Sequence, residues 1–131
     1  DAPAREGTVA GSVNGAVPYS AERLAALRAE GRVVFINMTA DWCVTCKANE
    51  RRVLAGDAFR EALAAVDGIY MRGDWTNVDP AITAFLEAHG AVGVPLYVVY
   101  PSNGGAGEVL PLILSETGVR EALTRAAGIA P

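Results

Sequence analysis

A chain of 131 residues, 51% hydrophobic and 20% charged, lies in the range of one ordinary globular domain, with enough apolar surface to exclude wholesale disorder. Eleven basic against fifteen acidic residues give a formal charge of −4, and ten of those bases are arginines scattered along the chain. Without a basic stripe to neutralise phosphates, nucleic acid is not an expected partner.

The longest apolar runs, Val33–Ile36 and Leu96–Tyr100, are far shorter than the ~20 residues of a membrane span. Neither a bilayer crossing nor a signal peptide is therefore expected in the chain as given. It opens on Asp1 rather than Met, which is expected of a piece of a longer protein. With one His and two Cys, neither a disulfide scaffold nor a His-rich metal centre can be assembled.

The first residues, Asp1–Ala16, show no regular apolar period and read as a tail or linker, with a short strand near Thr8–Val13. A single domain is expected over residues 17–131, compact from Val17–Tyr19. Ser20 has the chemistry of an N-cap for a helix over Ala21–Glu30, and Gly31 stops it. Val33–Met38 is a β-branched and aromatic run suited to a buried strand. Cys43–Leu54 is compatible with a helix, with Val44 and its next-turn neighbours against the sheet.

Gly56-Asp57 punctuates the chain before a second helical stretch, Ala58–Val66. Ile69–Met71 with its flanks reads as a strand that Asp74 and Trp75 close, mainly as turn and packing residues. Asp79-Pro80 is a cap followed by Pro at the first helical position, opening a helix to His89 that Gly90 closes. His89 there has a capping or surface role, favoured as a cation by the helix dipole. Leu96–Tyr100 is a strand, Pro101–Gly107 a loop, Val109–Leu114 a strand and Thr117–Ala127 a last helix. This order predicts an α/β fold: a mixed sheet with helices on both faces.

Chemistry concentrates in Phe35-Ile36-Asn37-Met38-Thr39-Ala40-Asp41-Trp42-Cys43-Val44-Thr45-Cys46-Lys47, which follows a strand and opens a helix. A helix start offers unpaired N–H groups and a positive dipole end, which favour a thiolate at Cys43. Cys46, one turn on, is close enough to close a disulfide with it. Cys43, Cys46, Lys47 and Glu50 fall within an arc of roughly 100° on one helix face. Lys47 there favours the Cys43 thiolate; Glu50 opposes a second negative charge and can relay a proton.

Other readings of a CxxC pair carry less weight. Zinc wants four ligands, and His89 is more than forty residues away. A structural disulfide closing so short a loop restricts the unfolded chain little. Two inert core thiols are the remaining alternative.

The stretch Ala40–Lys47 resembles the active-site segment of thioredoxin-fold proteins. It looks closest to the C-terminal periplasmic domain of the thiol:disulfide interchange protein DsbD family, including its ScsB copper-sensitivity suppressor branch. The likeness extends over most of Val17–Ala127, through Trp75-Thr76-Asn77 and Gly93-Val94-Pro95. It implies a thioredoxin-like fold and a thiol–disulfide reductase that needs no metal, flavin or nucleotide.

Cys43 is then the exposed nucleophile and Cys46 the buried resolving thiol. Taken by itself Pro95 reads as a trans proline starting a strand; by the same resemblance it occupies a cis peptide beside the motif, and Val94 offers backbone hydrogen bonds to a docked segment. Trp42 is either an ordinary core aromatic or, by the resemblance, flanks the site as a docking surface, and Asp41 is either a solvated turn residue or part of the site. The resemblance implies as electron donor a membrane-embedded domain of the same or a related protein. The acceptor it implies is a periplasmic thioredoxin-like or N-terminal partner domain, and the setting a periplasmic domain of a larger inner-membrane protein. A free-standing thioredoxin, an oxidase or isomerase of the same fold, and a CxxC copper or zinc module are the rival readings.

One departure matters. Members of this group often carry a buried Asp where this chain has Asn37, and Asn neither ionises nor accepts a proton at ordinary pH. Its neutrality should leave Cys43 ionised at lower pH, with Glu50 the proton relay for Cys46. Val44-Thr45 puts no charge between the cysteines, so a reducing pair is expected, nearer to thioredoxin at about −270 mV than to DsbA at about −120 mV.

Overall fold

The computed structural model describes residues 15–129. Most of Asp1–Ala16, including the strand expected near Thr8–Val13, lies outside them. Ala16 is already buried.

The elements in chain order are β1 (Val17–Pro18), α1 (Ala21–Ala29), β2 (Val34–Thr39), α2 (Val44–Asn49) running into a π-helical turn (Glu50–Leu54), α3 (Asp57–Ala65), β3 (Ile69–Asp74), α4 (Pro80–Ala88), β4 (Leu96–Tyr100), β5 (Glu108–Val109) and α5 (Glu116–Ala126). They form one five-stranded sheet in the order β1-β3-β2-β4-β5. β3 runs parallel to both β1 and β2, β4 is antiparallel to β2, and β5 is antiparallel to β4.

Local chemistry explains most of the ends. Ser20 accepts from the Arg23 amide and Gly31, at φ +78°, closes α1. Asp79 accepts from the Ala81 and Ile82 amides, with Pro80 opening α4, and Ser115 caps α5 through the Gly118 amide.

β2 is buried along its whole length, as a central strand between two layers must be. One sheet face, with Phe35, Tyr70, Tyr97 and Val99, packs under Val53, Leu54, Phe59, Val119 and Leu123 from the π turn, α3 and α5. The other, with Ile36, Met38, Met71 and Val98, packs under Leu24 of α1 and Ile82, Phe85 and Leu86 of α4. Each large side chain so buried contributes about 2 kcal/mol of hydrophobic stabilisation.

Four expectations are corrected. The short parallel pairing of Val17–Pro18 with Met71–Arg72 adds a strand that two residues of sequence do not announce. The expected strand Val109–Leu114 pairs only at Glu108–Val109. After Leu110 donates to the Tyr97 carbonyl, Pro111 has no N–H for a ladder, and the Leu112 carbonyl and Leu114 amide are taken by the side chain of Asn49. The motif helix begins one residue later, with Cys43 as its N-cap, and widens at Glu50, where Ala55 donates to the Glu50 carbonyl five residues back. Val44 is 82% exposed, not packed on the sheet. The buried stripe is Cys46, Asn49, Val53 and Leu54, and Val44 lies about 160° around the helix from Cys46.

Candidate active site

β2 delivers the chain to Ala40, and a turn through Asp41 and Trp42 brings Cys43 to the start of α2. Cys43 and Cys46 form a disulfide, with Cα atoms 5.2 Å apart. The Cys46 amide donates to Cys43 Sγ at 3.1 Å, so a backbone donor of the first helical turn already faces the sulfur that would carry negative charge. Cys43, expected to be exposed, is nearly covered at 8%, and Cys46 is fully buried. Ala40, Cys43 and Cys46 form a small apolar cluster against which Val94 packs. The Val94–Pro95 peptide is cis, and Pro95 is buried at the head of β4.

A belt of polar groups runs round the start of α2. Lys47 Nζ lies 3.2 Å from Asp41 Oδ1 and 3.7 Å from Glu50 Oε1. Its charge is shared between two carboxylates, so the expected help to the Cys43 thiolate is diluted. Glu50 is held inward: its Oε2 accepts from the Asn37 side-chain amide at 3.0 Å and lies 3.6 Å from Arg72 Nε. Asn37 also donates to the Tyr70 hydroxyl at 3.0 Å. Burial pushes the Tyr70 phenol up to about 12, opposed by that hydrogen bond and reinforced by the charge of Glu50.

On the other flank, Asn49 donates to the Tyr97 hydroxyl at 2.9 Å and to the Leu112 carbonyl at 2.7 Å, and accepts from the Leu114 amide at 3.1 Å. Burial raises Tyr97, too, to about 12, against the Asn49 hydrogen bond. The motif helix is thus tied to β4, two residues beyond the cis proline, and to the segment after β5.

In front of Cys43, Trp42 is 58% exposed, its ring centroid 6.2 Å from that of Trp75. The Trp42 indole donates to the Thr76 carbonyl at 3.1 Å. Asp74 is drawn below the ordinary carboxylate range: burial pushes it up, but the Thr76 hydroxyl and amide, with Arg72 and Lys47 beyond, outweigh that.

The structure therefore gathers Cys43, Cys46, Lys47, Glu50, Asn37, Asp41, Trp42, Val94 and Pro95 around one helix start. His89 is elsewhere, at the end of α4, with Nδ1 2.9 Å from the Phe85 carbonyl and its ring on Phe85. Among the described residues no group of three or more His, Cys, Asp or Glu could hold a metal ion. Sequence reading missed Tyr70, Arg72, Thr76 and Asn49. Tyr70, Arg72 and Asp74 share one face of β3 and register with Phe35, Asn37 and Thr39, so an Arg alternating with a Tyr beside the motif strand was the available signal.

A thioredoxin-like family model matches residues 16–102, which include both cysteines and Pro95. The thiol:disulfide interchange protein DsbD 1 of Pseudomonas aeruginosa is 32% identical over 106 residues, 79% of this chain but 18% of its own length. The chain thus spans about a fifth of that relative. Among solved structures, the reduced C-terminal domain of DsbD from Neisseria meningitidis matches with a TM-score of 0.64 at 25% identity, over 83% of this chain and 98% of that one. Its oxidised form matches with a TM-score of 0.65 at 23% identity, covering 81% and 94%.

Proposed function

The chain belongs to the thioredoxin-like family, and from that premise we propose that it is a protein-disulfide reductase of the DsbD kind, working through Cys43 and Cys46. The observation that carries the proposal is the asymmetry of the pair: one sulfur at the rim of a helix start, the other buried beneath it, both against the loop that leads into the cis proline.

In the reduced protein the Cys43 thiolate attacks one sulfur of a partner disulfide. A mixed disulfide forms and the partner's other sulfur leaves as a thiolate. The Cys46 thiol loses its proton and attacks Cys43 Sγ, which releases the partner as a dithiol and closes the Cys43–Cys46 bond. Two electrons pass to the partner, and an upstream dithiol reloads the pair by the reverse sequence.

Glu50, four residues beyond Cys46 on the same helix face, is the proposed proton acceptor for the resolving step. Asn37, Lys47, Asp41 and Arg72 set the charge around it. Trp42, exposed beside Cys43, and the Val94 backbone are the proposed docking contacts, with Pro95 fixing the loop. Lys47 is shared between Asp41 and Glu50 rather than free to hold the Cys43 thiolate, which supports a reducing potential near thioredoxin's about −270 mV.

As a domain of a longer DsbD-like protein, the chain would take electrons from a membrane-embedded domain and pass them to a periplasmic acceptor. No helix among the described residues is long and apolar enough to cross a membrane itself. The test is a Cys46→Ala variant incubated with periplasmic extract. A covalent adduct on Cys43, released by dithiothreitol, is expected; no adduct, or a glutathione-equilibrium potential above about −180 mV, would overturn the reading.

A further inference from the structure

The loops leaving β2 and β3 are brought side by side by the last register pair of the two strands, Thr39 with Asp74. At that seam four hydrogen bonds converge on one residue, Thr76, two of them from the β2 side. Its amide and hydroxyl donate to Asp74 Oδ1 at 2.9 and 2.5 Å. Its hydroxyl oxygen accepts from the Asp41 amide at 2.8 Å, and its carbonyl accepts from the Trp42 indole at 3.1 Å.

The direction of each bond is fixed by its neighbours. An ionised carboxylate only accepts, so the Thr76 hydroxyl proton points to Asp74 and leaves a lone pair for the Asp41 amide. The charge on Asp74 strengthens the chain of bonds it starts. The floor beneath is fixed as well. The Trp75 amide donates to the Thr39 carbonyl at 2.7 Å, and the Trp75 indole donates to Thr83 of α4 at 3.0 Å.

We propose that Thr76 is a positioning residue for partner docking: anchored by Asp74, it clamps the two residues before Cys43 so that the exposed Trp42 ring is held in one orientation beside the sulfur. An exposed indole anchored only by stacking would sample several rotamers, and a partner would then lose binding energy in ordering it. The clamp acts through Trp42 and the Asp41 backbone rather than on the sulfurs. Its loss should therefore fall on partner affinity and leave the exchange step largely intact.

The inference rests on the reductase reading, and the test separates the two. The full chain reduces insulin with dithiothreitol as electron source, and acrylamide quenching of Trp42 emission is followed in a Trp75→Phe background. Thr76→Val should raise KM for insulin about five- to tenfold, the worth of one to two such hydrogen bonds, with kcat changed by less than about twofold. Quenching of Trp42 should rise in parallel, and Thr76→Ser, which keeps the hydroxyl, should restore both.

A folded Thr76→Val protein with wild-type KM and quenching would overturn the proposal, as would a Thr76→Ser protein as impaired as Thr76→Val. Should Thr76→Val not fold, Asp74→Ala, which removes the acceptor of both Thr76 bonds, must show the same loss confined to KM; a wild-type KM there overturns the clamp. A wild-type chain that reduces no insulin defeats the reductase reading instead, and the quenching comparison still decides the clamp.

Discussion

Asn37 places its side-chain amide 3.0 Å from Glu50 Oε2, joining the middle of the central strand to the first turn beyond Cys46. A neutral donor from the sheet meets the carboxylate from the helix, and Arg72 and Lys47 flank the latter at 3.6 and 3.7 Å. One negative charge therefore faces two positive ones beneath the disulfide. Glu50→Gln should make Cys43 ionise at lower pH, because a repelling charge is removed and two cations remain. It should also slow release of a mixed disulfide by at least about tenfold, if Glu50 takes the Cys46 proton. Ultraviolet thiolate titration and stopped-flow resolution measure the two effects. A titration curve unmoved by the substitution would take Glu50 out of the mechanism.

Asn37→Asp tests the same contact from the other side. The amide that donates to Glu50 and to Tyr70 becomes an acceptor facing an acceptor, inside a fully buried position. Two carboxylates about 3 Å apart cannot both stay ionised without cost, so the variant should lose roughly 1–3 kcal/mol at neutral pH. The sign follows from linkage: one carboxyl of the pair is pushed up, the folded state binds that proton more tightly, and stability returns as pH falls. Urea denaturation at neutral pH and at about pH 5 checks this, and an equal loss at both would sink the electrostatic account.

The Asn49 latch attaches the motif helix on its other flank. Asn49→Ala leaves the Tyr97 hydroxyl, the Leu112 carbonyl and the Leu114 amide without their partner. A loss of about 2–4 kcal/mol is expected, together with faster hydrogen exchange at the Leu114 amide. A change below about 0.5 kcal/mol would show that the segment after β5 is held by its apolar contacts alone.

What the sequence disclosed and what it concealed divide along the range of the interactions. Ser20, Asp79-Pro80 and Gly31 act on groups within four residues, so the helix ends they set were legible. The cysteine pair was legible because both its members and the helix start that hosts them are contiguous. β1 was not, because Val17–Pro18 becomes a strand only by pairing with Met71–Arg72, more than fifty residues on. β5 stopped short because a side chain from α2 competes for its backbone. Val44 was misplaced for a subtler reason: apolar character suggested burial, but the periodicity of Cys46, Asn49 and Val53 assigns it to the outer face. The site was half visible for the same cause. Its helix residues lie in one stretch, whereas Tyr70, Arg72 and Thr76 enter from β3 and the loop beyond it.

Reducing the disulfide should cost little. Closing a four-residue loop removes roughly 2 kcal/mol of chain entropy from the unfolded state, a small effect among disulfides. A domain that stores electrons in the reduced pair must stay folded in both forms, and here the packing of Cys46 with Ala40 and Val94 does not depend on the bond. Thermal melts with and without dithiothreitol should differ by no more than about 10 °C. Unfolding on reduction at room temperature would be incompatible with a relay.

Alkaline pH offers a last test, because two buried phenols each accept a hydrogen bond from a buried asparagine. Tyr70 and Tyr97, 4% and 0% exposed, are both raised from 10.0 to about 12, in each case chiefly by burial. A raised folded value means that the folded protein holds these protons more tightly than the unfolded chain does. Their contribution is therefore fully present below about pH 10 and is lost as pH rises toward 12, by roughly 2–3 kcal/mol for each phenol as an upper bound. Urea denaturation should give a plateau up to about pH 9 and a steep fall above about pH 10. Tyr70→Phe should remove about half of that fall, although it gives up the Asn37 hydrogen bond and starts about 1 kcal/mol lower at neutral pH. If the variant and the wild type lost stability in parallel through the alkaline range, Tyr70 would not be the group whose ionisation the fold resists.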